Sequence, residues 1–507
     1  MPAPWLAGVA MAPLFIAADN SKKNGLMFGL WAFVWWCWSI VWMLPAAIDF
    51  IATPPILASI LWISLCALLS LPYWIIGRLW HRICVTQSHF LNGTLQALLF
   101  TVLASCTQWL VPANPAHSLY IYPQLIQIVD IGGIPLLLFG LVGVNMCFAK
   151  AFQNKKPLVI SFTAGAIILI FFTYSQIRIS QFDTQKNIKK INIAIIQPNL
   201  QREDSLDRLF HLTESLVSES ITSKNANIDL IVWPEIPPAF SWQENRKDRD
   251  NITALIEKTD KPILLNSGYI YQKKPAVRST TPSTTPVTER TTPRSYYNAA
   301  QLISAKAELI GSYHKQHLVP FFEYLPFETT FPILRHWFPE TLRYVPGDKS
   351  TPLAFNMTSS THIAPLICFE MLFPHYVRHQ ANQGANIIIN LSNDSWFQNS
   401  RGSINHFALA IFRSIENKLP WVRVSNGGIS ASVSGTGKID VSSLTNLNEH
   451  HAQVVQVEIK NIQTLYQTIG DLFLLIASAL VITALALDRR PFKTTERRIV
   501  TKNKNKN

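Results

Sequence analysis

Of the six cysteines in this chain, one stands apart. Cys37, Cys66, Cys84, Cys106 and Cys147 lie in or beside strongly apolar stretches, whereas Cys368 falls in the long polar segment between Ile191 and Lys460. Its setting, His362-Ile-Ala-Pro-Leu-Ile-Cys-Phe-Glu370, reads as a β-strand running into a turn. With no second thiol in the segment, an intradomain disulfide is excluded. The residue is either inert packing or a nucleophile. Two further candidates sit in similar settings. Glu235 ends the strand-like run Ile228-Asp-Leu-Ile-Val-Trp-Pro-Glu235. Lys315 lies in Gly311-Ser-Tyr-His-Lys-Gln-His-Leu-Val-Pro-Phe-Phe-Glu-Tyr-Leu-Pro326. A thiol at its ordinary pKa is mostly protonated and needs a carboxylate to take its proton. A carbonyl under attack develops negative charge, which an ammonium stabilises. Base, electrophile and nucleophile on converging strand ends would therefore perform acyl chemistry. Taken singly, each residue has a plainer account: most buried cysteines are inert, and strand-end Glu and Lys are usually solvated.

The surrounding residues change that balance. Val232-Trp-Pro-Glu235, His314-Lys-Gln-His-Leu-Val-Pro320 with Glu323-Tyr324, and Ile367-Cys-Phe-Glu370 resemble the three catalytic segments of the nitrilase superfamily. Asn390-Leu-Ser-Asn-Asp-Ser-Trp-Phe397, His406, Arg413-Ser-Ile-Glu-Asn417 and Val422-Arg-Val-Ser-Asn-Gly-Gly-Ile-Ser430 resemble its membrane branch, the apolipoprotein N-acyltransferases. Thr464-Leu-Tyr-Gln-Thr-Ile-Gly-Asp-Leu-Phe473 is similar to that family's entry into its last membrane helix. The resemblance is specific from about Ile191 to about Leu487. Before that it rests on helix pattern, Gln124 and Gly132-Gly133.

The elements that would position these residues divide between membrane and water. The chain has 507 residues, 48% hydrophobic and only 15% charged. Six apolar stretches precede residue 177, at about 3–18, 26–48, 54–77, 92–112, 129–149 and 157–176, and a seventh spans about 464–487. Most approach the ~20 residues that cross a bilayer as a helix. The resemblance implies eight such helices, one more than this count. Lys22 and Lys23, Arg78 and Arg82, and Lys150, Lys155 and Lys156 follow the first, third and fifth stretches. The alternate loops, around Asp49 and from Pro112 to Asp130, carry no Lys or Arg. By the positive-inside rule the basic loops are cytoplasmic and the large polar segment is outside. Lys186, Lys189 and Lys190 precede a long translocated domain, where that rule loses force. The formal net charge of +13 at pH 7 is thus accounted for largely by inner loops and a basic C-terminal tail. No nucleic-acid motif accompanies it.

The expected organisation is an α-helical membrane bundle plus an α/β domain. Its parts are N-terminal transmembrane helices over 1–177, a soluble domain over 191–460, a last transmembrane helix over 464–487 and a basic cytoplasmic tail over 488–507. Within the soluble domain, strands are predicted near 191–197, 228–235, 262–271, 296–305, 307–314, 386–392, 420–426 and 454–459. Helices are predicted near 373–383 and 404–417, and Leu206, Leu209, Leu212 and Leu216 recur at helical spacing. Mixed strands and helices indicate a layered domain. The resemblance implies a nitrilase-like αββα sandwich, which periodicity alone does not give. Arg278 to Pro293 is Thr- and Pro-rich and reads as a mobile surface insertion or a lid.

The resemblance implies a two-step acyl transfer by Glu235, Lys315 and Cys368, supported by Glu323, Phe369 and Glu370. The donor is a membrane phospholipid. The acceptor is the N-terminal amine of a diacylglyceryl apolipoprotein, and the setting is the bacterial inner membrane with the catalytic domain periplasmic. No metal or cofactor is called for. Three positions depart from the family's pattern: Phe369 stands where Tyr is usual, Phe322 where Gly is usual, and no Lys-Trp pair follows Gln197-Pro-Asn199. A membrane-tethered amidase giving its acyl group to water, or a non-catalytic membrane binding protein, would use the same fold.

Overall fold

Each apolar stretch becomes helical, but glycine and proline interrupt several of them. The computed structural model describes residues 4–21, 23–153, 157–201, 204–223, 227–236, 241–242, 244–270, 296–348, 351–355, 361–397 and 400–488. The Thr/Pro-rich segment 278–293 and the tail beyond Asp488 lie outside them. The second stretch forms helix Asn24–Ser39 and a further helical segment Met43–Phe50, bent by 62° from the first. Pro45 has no amide proton to give to Val41, which weakens the ladder at this bend. Helix Val129–Gln153 is broken at Gly132 and at Gly133, whose φ is +65°. Gly470, with φ +55°, splits the final stretch into Leu465–Ile469 and Leu472–Leu487. Among the described residues, three helices have the length and apolarity to cross a membrane: Pro55–Leu79, Val129–Gln153 and Phe162–Asp183. The bent pair makes a fourth if its arms count as one span. Trp5–Asn20 and Leu472–Leu487 are apolar but shorter, and the fourth stretch forms helix His89–Ser105. The seven apolar stretches are thus helical but not equal in length, because an apolar run does not encode where its backbone turns. Leu30, Val34, Ile56, Leu169, Leu475 and Ile482 point outward from these helices, the surface expected where lipid is the solvent.

The polar segment folds as two facing sheets. The strands are β1 (Ile188–Gln197), β2 (Leu230–Val232), β3 (Ile263–Ile270), β4 (Tyr296–Ile303), β5 (Leu309–His314), β6 (Leu353–Phe355), β7 (Thr361–Ile367), β8 (Ile387–Asn393), β9 (Trp421–Asn426), β10 (Ala431–Val433) and β11 (His451–Lys460). One sheet has the order β11-β1-β2-β3-β4-β5, the other β10-β9-β8-β7-β6. Strand periodicity explains the layers. Ile191, Ile193 and Ile195 of β1 join Ile363, Ile367, Ile389 and Val422 in the core between the sheets. Their neighbours Ala194 and Ile196 face outward onto Leu209, Leu216, Ile252 and Leu255. Those leucines and isoleucine come from helices Asp207–Ser223 and Arg246–Thr259. Across the molecule, Leu366, Ile388 and Trp421 face helix Gly402–Asn417 through Phe407, Ile411 and Ile415. The result is the expected αββα sandwich. The short strands β6 and β10 were not anticipated, being too brief for alternation to register.

The sandwich is tied to the bundle by buried charge. Asp130, in the broken helix, lies 2.7 Å from Arg178 and 3.1 Å from Lys418, which follows helix Gly402–Asn417. The Gln127 amide donates to Thr436 O at 2.8 Å. A Cβ on Gly133 would come within 2.8 Å of the Tyr466 ring, so the break lets the last segment pack against the bundle.

Candidate active site

The three sequence candidates converge at one end of the sandwich. Cys368 follows β7 directly, Lys315 follows β5 directly, and Glu235 lies three residues beyond β2. Parallel pairing of β1 with β2 and of β7 with β8 carries their C-terminal ends the same way. The chain turns sharply after β7 because Cys368 adopts φ +53°, a left-handed conformation that costs a residue with a Cβ about 1–2 kcal/mol. Strain of this kind is sustained only where surrounding bonds enforce it.

Those bonds are dense. Lys315 is 1% exposed, and its Nζ lies 2.9 Å from Glu323 and 3.8 Å from Glu235 Oε1. Asn298, on β4, donates from Nδ2 to both carboxylates, at 2.8 Å to Glu235 Oε1 and 2.8 Å to Glu323 Oε1. Asn266 in turn donates to Asn298 Oδ1 at 2.6 Å, which settles the orientation of that amide. The Asn393 amide donates to Glu235 Oε2 at 3.2 Å. The Cys368 side chain also favours the ionised form of Glu235.

Electrostatics sets the protonation states. Burial pushes the Glu235 carboxyl above its usual value of 4.5, and Glu323 adds to the rise. Lys315, Asn298 and Cys368 oppose it. Burial would push the Lys315 ammonium down, but Glu323 and Glu235 together outweigh it and hold its pKa above 10.5. Burial, then the charge of Glu235, pushes the Cys368 thiol well above 9.0. The resting pair is thus a protonated thiol beside a buried carboxyl, with the lysine charged. A thiol so placed becomes nucleophilic only if a neighbouring base takes its proton.

The supporting residues divide by role. Glu323 anchors Lys315 and accepts from the Val319 amide at 2.7 Å. Glu370 accepts from Gln316 N at 2.7 Å and His317 N at 3.2 Å through Oε1, and from Ile367 N at 3.2 Å through Oε2. It thereby clamps the lysine loop to the cysteine turn. Phe369 packs on Phe373 and His317, with ring centroids 5.0 and 5.9 Å away. Its role is to fill space beneath that loop.

Asn298 was missed by the sequence reading. The available signal was faint: it shares a strand face with Ala300 and Leu302, where a polar residue is out of place. Asn298→Ala is expected to slow alkylation of Cys368 by iodoacetamide roughly tenfold at neutral pH, about 1.4 kcal/mol. Losing that donor raises the Glu235 pKa further and frees its carboxylate to turn. An unchanged alkylation rate would remove Asn298 from the site.

An aromatic rim, also missed, joins the site to the membrane helices. Trp42 lies edge-on to Trp396 and Phe397, at 5.7 and 4.7 Å. Phe50 meets Phe322 at 5.2 Å, and Phe322 stacks on Trp396 at 6.3 Å. Phe322 directly precedes Glu323. The bend between Asn24–Ser39 and Met43–Phe50 thus places membrane-helix aromatics against two of the loops that surround the thiol.

Comparison with known proteins agrees with this architecture. Residues 172–465 match the carbon-nitrogen hydrolase family, and residues 1–147 match the apolipoprotein N-acyltransferase N-terminal domain. The apolipoprotein N-acyltransferase of Geobacter metallireducens is 26% identical over 389 residues, covering 75% of this chain and 70% of that one. That of Rickettsia prowazekii is 27% identical over 417 residues, covering 79% and 78%. A carbon-nitrogen hydrolase structure from Helicobacter pylori G27 aligns at 16% identity and a TM-score of 0.37, over 60% of this chain and 96% of that one. The carbon-nitrogen hydrolase match over residues 172–465, joined to the apolipoprotein N-acyltransferase N-terminal match over residues 1–147, places the chain in the carbon-nitrogen hydrolase family, within its membrane branch of apolipoprotein N-acyltransferases.

Proposed function

We propose that this enzyme moves a fatty acyl group from a membrane phospholipid, through a thioester on Cys368, to the N-terminal amine of a diacylglyceryl apolipoprotein. The observation that carries the reading is the buried thiol–carboxylate–ammonium cluster, whose flanking loops touch aromatic side chains of the membrane helices. In the first step Glu235 takes the thiol proton as sulfur bonds to the ester carbonyl carbon. Negative charge grows on the carbonyl oxygen, where the Lys315 ammonium stabilises it. The ester C–O bond then breaks, and Glu235 returns the proton to the departing lysophospholipid oxygen. In the second step the lipoprotein amine attacks the thioester carbonyl and gives its proton to Glu235. The C–S bond breaks, and Cys368 recovers a proton as the amide leaves.

A membrane setting supports transfer over hydrolysis. Both substrates are lipid-anchored, so the bilayer holds them near a fixed thiol and replaces part of the entropy of encounter. Incubating the detergent-solubilised enzyme with phospholipid and a synthetic diacylglyceryl-cysteinyl peptide tests the reading. Mass spectrometry should find one acyl group on the peptide amine. Release of free fatty acid with no acylated peptide would favour the amidase-like alternative.

The domain over 191–460 is taken to face the periplasm, on the strength of alternating basic loops and loops free of Lys and Arg. Val441 is 78% exposed on that domain. With the exposed native thiol Cys106 replaced by Ser, Val441→Cys should react with an impermeant maleimide in intact spheroplasts. Labelling only after lysis would reverse the topology.

A further inference from the structure

The segments Asn390–Phe397 and Val422–Ser430 carry no step of the proposed reaction, yet they hold a fully buried arginine. Arg423 on β9 has 0% side-chain exposure, as does its partner Asp394. Burying this much charge is costly unless geometry satisfies it, and unpairing either member is severe. Arg423 therefore has a well-defined task.

Strand register shows what that task is. Parallel pairing sets Leu366 opposite Asn390 and Asn390 opposite Arg423, one row across β7, β8 and β9. Asn390 Nδ2 donates to Leu366 O at 3.1 Å and to Cys368 O at 3.3 Å. Arg423 Nη1 donates to Asn390 Oδ1 at 3.1 Å. That bond decides which way the amide points. With Oδ1 occupied by the guanidinium, only the NH2 end can face the cysteine carbonyl. Freed to flip, the amide would turn oxygen toward oxygen. A second arm runs to the base. Arg423 Nη2 reaches Asp394 Oδ1 and Oδ2 at 2.8 and 2.7 Å. Asp394 directly follows Asn393, whose amide donates to Glu235 Oε2. Arg423 Nε donates to Ile429 O at 3.0 Å, and the same Nη2 lies 3.1 Å from both Ser392 Oγ and His406 Nδ1.

We propose that Arg423 is the positioning residue of this site: through Asn390 it holds Cys368 in its left-handed conformation, and through Asp394 it fixes the amide that orients Glu235. The proposal rests on Cys368 being the nucleophile. Lysine cannot replace the guanidinium, because one ammonium cannot span Asn390, Asp394 and Ile429 at once.

The test is pre-steady-state acylation of the full chain by phospholipid without acceptor, read as the thioester burst on Cys368. Arg423→Lys keeps the charge that neutralises Asp394. Asn390→Ala leaves the Arg423–Asp394 pair intact and breaks only the arm to the nucleophile. Both should slow the burst about a hundredfold while its amplitude stays near that of the native enzyme. The double variant should be no slower than Arg423→Lys by more than about threefold, because losing the guanidinium already loses the arm through Asn390. Smaller amplitude at a native rate means that Arg423 serves folding alone, and overturns the proposal. So do fully multiplicative losses. Cys368→Ala in the same preparation separates the two readings. If it still N-acylates a lipopeptide, the nucleophile assignment falls. If it is inactive while Arg423→Lys reacts at the native rate, only the positioning role falls.

Discussion

Cys368→Ala should fold, insert and bind phospholipid, yet lose N-acylation by about a hundred-thousandfold, roughly 7 kcal/mol on the barrier. No other described thiol lies at the site, and water cannot form the bond that stores the acyl group. With phospholipid and no acceptor, the native chain should gain one acyl mass, released by hydroxylamine. The Ala variant should gain none. Cys368→Ser should also be inactive, because Glu235 would have to deprotonate a hydroxyl instead of a thiol. The substitution is small structurally, since it exchanges one buried atom and leaves the Cys368 carbonyl bonded to Asn390. Normal N-acylation by Cys368→Ala would end the thioester mechanism.

Lys315→Met should lower acylation by a hundred- to a thousandfold, about 3–4 kcal/mol, the range seen when one oxyanion donor is removed. It should also destabilise the fold by roughly 3–5 kcal/mol, because Glu323 is left buried and unpaired. The two effects can be separated. Adding Glu323→Gln should restore much of the stability by removing the orphaned charge, while the rate stays low. The pH dependence gives a further sign. Glu235 acts only as a carboxylate, so the rate falls as pH drops through its raised pKa, giving an acid limb above the ordinary 4.5. Lys315 opposes that rise, so Lys315→Met should move the limb to higher pH in whatever activity remains. Glu323 adds to the rise, so Glu323→Gln alone should move it lower. Shifts in the opposite directions would show that Glu235 is not the base.

Local sequence determined much of this molecule. Glu235, Lys315 and Cys368 each end or follow an apolar run, but taken singly each has a plainer account, and the resemblance of the segments around them is what singled them out. β3, β8 and β9 began and ended within about one residue of expectation, since alternation and flanking turns are short-range signals. The membrane stretches were equally plain as composition. Tertiary structure alone decided the rest. Asn298 meets Glu235 across 63 residues of chain, and Arg423 meets Asn390 across 33; strand order and register set such pairings, and no local pattern announces them. The positive φ at Cys368 is likewise imposed from outside, because an isolated Ile-Cys-Phe would not adopt it. The bends after Ser39, at Gly132-Gly133 and at Gly470 depend on what packs against them. Trp42 and Phe50 become part of the site's rim, and Tyr466 fills the space beside Gly133. Residue type and spacing thus told which groups could do chemistry. Their protonation, their mutual aim and their contact with the membrane helices came from burial and long-range contact.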